Sequence, residues 1–147
     1  MKFWDASAIV PLLVTQGHTD TLRAVFASDV AMVVWWGTRV EVVSALSRLA
    51  REGSLSSIGL RDAIRGLSAL ASHWTEVQAS VLVRDRAEEL LRHHPLRAGD
   101  ALQLAAALVV STGGSSMPDL VCCDDRLTQV AIIEGFDVLP APAAAKR

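Results

Sequence analysis

Short apolar runs alternate with helical stripes along this chain, and that order predicts an α/β fold. Lys2 to Asp5 and Ala31 to Trp35 read as strands, with Ser7 to Thr15 and Thr19 to Ala27 as short helices between them. The clearest helix runs from 38 to 52. There Val42, Ala45, Leu46, Leu49 and Ala50 recur at i, i+3, i+4, i+7 and i+8, and Gly53 stops the pattern. Ser56 to Ser72 reads as a helix, Trp74 to Val77 as a short strand, and Ser80 to His93 as an amphipathic helix ended before Pro95. Gly99 to Ser111 is apolar almost all round, which predicts burial. After a Gly/Ser loop from Thr112 to Pro118 come a strand, Leu120 to Cys123, a helix, Asp124 to Glu134, and a last strand, Phe136 to Leu139. Residues 1–139 are expected to form one domain around a parallel sheet of about five strands, and 140–147 a flexible Pro/Ala-rich tail.

Composition narrows this picture. In 147 residues, 51% are hydrophobic and 20% charged, which supports a packed core and excludes a disordered chain. The net charge of −2 is not the basic footprint of a protein that holds nucleic acid by phosphate contacts alone. A nucleic-acid partner would have to meet local arginines or a bound metal. Cys122 and Cys123 are adjacent, a spacing that suits neither a disulfide nor a zinc site and fits a reducing compartment. Asp5 interrupts the place where a signal peptide would need its apolar run, and nowhere do ~18 uncharged apolar residues follow one another. A cytoplasmic protein with no membrane segment is expected.

Candidate chemistry lies in the acids. Asp5 ends the first strand, Asp124 follows the fourth, Asp100 opens the buried helix, and Glu41 sits just after the second strand. In an open parallel sheet, ligands collect at the carboxyl ends of the strands, where these positions meet. Each acid also has a plainer reading. Asp5, Asp100 and Asp124 could be helix N-caps, Asp100 with Gln103 as a capping box, and Glu41 a solvated or ion-paired glutamate with Ser44 and Arg48 on its side. Asp100 resists it most, because a carboxylate heading so apolar a helix is costly unless it is paired or bound to a cation. Gathered carboxylates suit Mg²⁺ or Mn²⁺, which activate water and stabilise charge in phosphodiester cleavage.

The motifs resemble the PIN-domain family. Phe3-Trp4-Asp5-Ala6-Ser7-Ala8 resembles its opening strand, and Glu41 through Arg48 its second block. Leu96-Arg97-Ala98-Gly99-Asp100-Ala101-Leu102-Gln103-Leu104-Ala105 is similar to the family's Leu-Arg-x-x-Asp-Ala-x-x-Leu-Ala, and Asp124-Asp125-Arg126-Leu127 to its closing Asp-x-x-Leu. Four blocks in order across nearly the whole chain, with its length and short helical insert, resemble the VapC-type toxins. The resemblance implies a metal-dependent endoribonuclease with Asp5, Glu41, Asp100 and Asp124 as catalytic metal ligands, Mg²⁺ or Mn²⁺ as cofactor, RNA as substrate, a small antitoxin as partner, and a homodimer. The chain departs from the pattern at Cys122, where Thr is common, and in carrying Asp125 beside Asp124; Leu127 fits the last motif only from Asp124. Trp35 and Trp36 precede the Glu helix where smaller or polar residues are usual, and the loop at 113–118 is longer than usual.

Supporting residues carry two readings each. Ser7 could hydrogen-bond a water on the metal or cap the first helix, and Arg97 could bind phosphate or pair with Asp100, the ion pair being favoured. Arg39, Arg48 and Arg51 read as a solvated helix face before an RNA-binding edge. The four histidines have no ligand spacing, and Trp4, Trp35, Trp36 and Trp74 read as core or dimer contacts. Two rival functions remain: a PIN-fold binding module, weak or inactive as an enzyme, acting through antitoxin or dimer contacts, and a phosphotransfer protein with an Asp nucleophile. The last would need a second acid at the first strand or a late Lys in the site. Asp5 stands alone there, and the late Lys is Lys146 in the tail.

Overall fold

The computed structural model describes residues 1–114 and 116–142. Five parallel strands form one sheet in the order β3-β2-β1-β4-β5, with β1 (Lys2–Trp4) at its centre, β2 (Met32–Trp35), β3 (Thr75–Val77), β4 (Asp119–Val121) and β5 (Val138–Leu139). Seven α-helices connect and cover them: α1 (Ala6–Leu13), α2 (Thr19–Ser28), α3 (Thr38–Arg51), α4 (Ser57–Ala71), α5 (Val81–His93), α6 (Ala98–Thr112) and α7 (Asp125–Ile133). Parallel pairing is possible because helical crossovers separate the strands.

Strand alternation sorts the core into two layers. Phe3, Val33, Trp35 and Leu120 face α5, α6 and α7, where Val83, Leu90, Leu104, Ala105 and Leu127 pack. Trp4, Met32, Val34 and Val121 face the other way, onto Ile9, Leu22, Val42, Leu46 and Leu67 of α1 to α4. Cys122 and Cys123 fall on opposite faces by the same rule, and both are free thiols. The apolar helix expected at 99–111 is the buried α6. Its Ala105-Ala106-Ala107 run is fully covered, and small side chains let its backbone lie close to the sheet. Gly53, at φ +79°, takes the left-handed turn after α3 that an L side chain resists.

The α/β sheet agrees with the sequence reading, and the differences are local. Asp5, Cys122, Cys123, Phe136 and Asp137 lie just outside the strands assigned to them, because the parallel ladder ends where the chain bends into a helix or loop. Trp4 and Trp35 are core, but Trp36 is 54% exposed because the chain turns out of the sheet after Trp35. The flexible tail expected from 140 reaches past Pro142, and 143–147 lie outside the described residues, as does 115 in the Gly/Ser loop. Among the described residues no helix is long and apolar enough to cross a membrane.

Candidate active site

The order in which successive strands are added reverses between β1 and β4: β2 and β3 lie to one side of β1, β5 to the other side of β4. Helix α1 leaves β1 toward one face and α7 leaves β4 toward the other. A crevice opens at such a point beyond the carboxyl ends of the strands. Asp5, Ser7, Val40, Glu41, Ser44, Arg48, Asp100 and Asp124 line a cleft of about 440 Å³ there. The four acids expected to act together therefore share one cavity.

Each acid stands at a helix N-terminus, where unpaired N–H groups and the helix dipole favour negative charge. Asp5 caps α1. Its Oδ2 accepts from the Ser7 backbone N–H at 2.9 Å, from the Ser7 hydroxyl, and from Cys122 Sγ at 3.8 Å. Its other oxygen has no hydrogen-bond partner among the described residues, and no oxygen of Asp5 is sealed without one. Asp124 caps α7, with Oδ1 accepting from Leu127 N–H at 2.8 Å. Both cap readings hold, and neither removes the residue from the cleft. Glu41 lies in the first turn of α3 with Ser44 and Arg48 on the same side, as the spacing predicts, and it is half-buried on the cleft wall. Gln103 Nε2 donates to its Oε2 at 3.1 Å, and a Cβ at Gly99 would stand 3.5 Å from its Oε1.

Three expectations need correction. Helix α6 starts at Ala98 with Arg97 as N-cap, so Asp100 is in the first turn and does not cap it, and no capping box links it to Gln103. Gln103 is buried and turned to Glu41 because α3 supplies partners that the helix end does not. The favoured Arg97–Asp100 ion pair is not formed. Arg97 is exposed; it acts on Asp100 through its backbone N–H and its charge, without a side-chain ion pair, and its extended backbone begins the helix. Ser7 does not cap α1, because Asp5 does. Its hydroxyl donates to Asp5 and accepts the Cys123 backbone N–H at 2.9 Å, tying β1 to β4. Arg48 and Arg51 are exposed, as a solvated helix face has them; Arg48 also lines the cleft, and the half-buried Arg39 donates to Ser68 at 3.0 Å.

Electrostatics marks the cleft. Burial raises Asp5 above the usual carboxylate range, and the charges of Asp100 and Asp124 add to it against the Ser7 hydrogen bonds. Burial also raises Glu41, with Asp5 and Asp100 adding to it while the Gln103 bond opposes. Asp100 is raised by burial and then by Asp124, with Arg97 and Arg126 opposing. None of the four acids forms an ion pair among the described residues. Burial and the Asp5 charge push the Cys122 thiol up to about 12, so it stays protonated at neutral pH and acts as a weak donor, not as a ligand. Its Sγ accepts the Asp124 N–H at 3.4 Å. Asp125 is exposed and lines a different cavity with His18, Cys122, Cys123 and Thr128. Among the described residues no three acidic, His or Cys side chains close on one point as a ready-made cation cage. The donor set nevertheless fits a hard divalent cation: four mutually repelling, unpaired carboxylates around one open cleft need positive charge.

No family model matches the chain. It is 33% identical over 143 residues to Ribonuclease VapC45 of Mycobacterium tuberculosis, covering 96% of each chain. Its fold is similar to Mycobacterium tuberculosis VapC20, described as a sarcin–ricin loop cleaving toxin, with a TM-score of 0.66 at 17% identity over 92% of this chain and 96% of that one. A toxin–antitoxin complex from Klebsiella pneumoniae contains a similar chain, with a TM-score of 0.61 at 16% identity, covering 84% of this chain and 87% of that one.

Proposed function

This chain belongs to the VapC family of PIN-domain ribonucleases, and we propose that its acidic cleft cuts RNA with the help of Mg²⁺ or Mn²⁺. The protein is a toxin endoribonuclease of a toxin–antitoxin system. The observation that carries the metal reading is the gathering of Asp5, Glu41, Asp100 and Asp124 in one cleft without a cationic partner. These four side chains would hold the cation. When bound, it would supply positive charge for a phosphodiester in an acidic cleft and would lower the pKa of a water, easing the loss of the proton that makes it a nucleophile toward phosphorus. The chain's own part is to fix the donors and to bring in the substrate. Ser7 and Cys122 hold one Asp5 oxygen and leave the other to the cleft. The Asp124 cap holds its carboxylate on α7. Arg48, on the cleft wall and free of any ion pair among the described residues, is placed to meet a phosphate. The partner is a small antitoxin that covers the acidic site, and the working unit is a homodimer. Two free thiols fit a cytoplasmic setting.

RNA cleavage assayed with Mg²⁺ or Mn²⁺, against EDTA and Asp100→Asn, tests the reading; cleavage that survives both controls refutes the metal mechanism. The fourth corner has its own test. Asp124→Asn loses cleavage while keeping its helix, because Asn is as good an N-cap, whereas Asp125→Asn cleaves like wild type. Equal losses in the two variants would move the corner to Asp125. Arg48→Ala is expected to raise KM with little change in kcat. It should also lower the slope of log KM against log salt by about 0.7, one single-strand phosphate contact. A fall in kcat at constant KM would place Arg48 elsewhere in the reaction.

A further inference from the structure

Gln103 is a polar side chain on the buried, largely apolar helix α6, and 1% of its surface is exposed. A buried primary amide needs partners for its carbonyl and its NH₂. Its Oε1 accepts from the Thr38 hydroxyl at 3.1 Å, and its Nε2 donates to Glu41 Oε2 at 3.1 Å. Thr38, the first residue of α3, is fully buried as well. Charge sets the polarity of this chain. An ionised Glu41 can only accept, so the amide must present nitrogen to it and oxygen to Thr38, whose hydroxyl then has to donate. The other Glu41 oxygen lies beside Gly99 in the first turn of α6, 3.5 Å from where a Cβ would stand. A glutamate otherwise carries enough rotamer freedom to swing out of the cleft, and this contact removes that freedom.

We propose that Thr38 and Gln103 form a buried positioning relay that holds the Glu41 carboxylate in the cleft for cation binding. The proposal rests on the metal reading above. Neither residue touches substrate. They act through Glu41, in the way that outer hydrogen-bond partners orient the ligands of a metal. A hydrogen bond that merely stapled α3 to α6 would affect melting temperature alone; a positioning relay affects the affinity for the cation.

The test is Mn²⁺ binding followed by electron paramagnetic resonance, on the full chain, with melting temperatures and RNA kinetics beside it. Gln103→Leu is expected to weaken Mn²⁺ binding by roughly 10- to 100-fold and to lower kcat with KM for RNA unchanged. Thr38→Val weakens binding in the same direction, and Thr38→Ser, which keeps the hydroxyl, restores it. Gln103→Leu that folds and binds Mn²⁺ with wild-type affinity overturns the relay. If Gln103→Leu does not fold, the Thr38 pair decides, and equal affinities in Thr38→Val and Thr38→Ser overturn it. Wild-type protein that binds no Mn²⁺ overturns the metal reading and the relay together. Binding lost in Asp5→Asn but untouched in Gln103→Leu overturns the relay alone.

Discussion

The Asp5→Asn variant is expected to lose RNA cleavage by roughly 10²- to 10³-fold while melting at or above the temperature of the metal-free wild-type protein. Both halves follow from how the two Asp5 oxygens are used. Oδ2 accepts both Ser7 donors and the Cys122 thiol, so an asparagine at this position places its single carbonyl oxygen there and keeps the cap of α1. Its NH₂ then occupies the position of the cleft-facing oxygen, where a donor replaces a cation ligand. The fold loses a buried charge that its neighbours repel and loses no hydrogen bond that holds β1 to β4, since Ser7 makes that link to Cys123. Activity assays and thermal melts of the same preparation check the pair of effects. A variant that cleaves normally, or one that melts well below wild type, would contradict this account of Asp5.

Divalent cation is expected to produce the second large effect. At about 100 times its Kd, Mn²⁺ should stabilise the wild-type protein by about 2.7 kcal/mol. That corresponds to a rise in Tm of roughly 5–11 °C for a domain of this size, and EDTA should reverse it. The pH dependence has a definite sign. Asp5, Glu41 and Asp100 are all raised, so the metal-free folded cleft holds protons more tightly than the unfolded chain, whose ordinary values are 3.8 for Asp and 4.5 for Glu. The stability these groups confer is complete below those ordinary values and is lost as pH rises through their folded values. The Tm gap between metal-free wild type and Asp5→Asn should therefore narrow on acidification from neutral pH and reopen on return. Taking the difference cancels the exposed acids Asp29 and Glu89, which titrate the opposite way. A gap that widens in acid, or a Tm indifferent to Mn²⁺, would contradict the picture.

Much of the architecture was legible because it rests on local periodicity. The apolar runs at Lys2 to Asp5 and Ala31 to Trp35 read as strands, and the apolar circumference of α6 predicts its burial. The strand-end acids were legible for a related reason: parallel strands bring their carboxyl ends to one edge, so Asp5 and Asp124 had to be neighbours. What spacing could not convey were the long-range pairings. Glu41 and Gln103 are 62 positions apart, and Thr38 and Gln103 are 65 apart. Gln103 read as a local capping partner of Asp100 for want of any sign that α3 would lie against α6. The one available hint was a lone amide in an otherwise apolar helix, which needs a partner wherever it is buried. Arg97 misled in the opposite direction. Three residues from Asp100, its spacing favours an ion pair over phosphate binding, but as the N-cap of α6 it is exposed and forms none, and Arg126, not singled out from the sequence, shares its influence on Asp100.

The central claim is that Asp5, Glu41, Asp100 and Asp124 hold a divalent cation. Anomalous X-ray scattering at the manganese edge, from crystals of the full chain grown in Mn²⁺, tests it most directly. The account predicts a peak in the cleft with oxygen ligands from these carboxylates, absent in crystals of Asp5→Asn. A cleft without a peak in the wild-type protein, or manganese seated instead at the His94–Glu134 cluster beside α5, would contradict it.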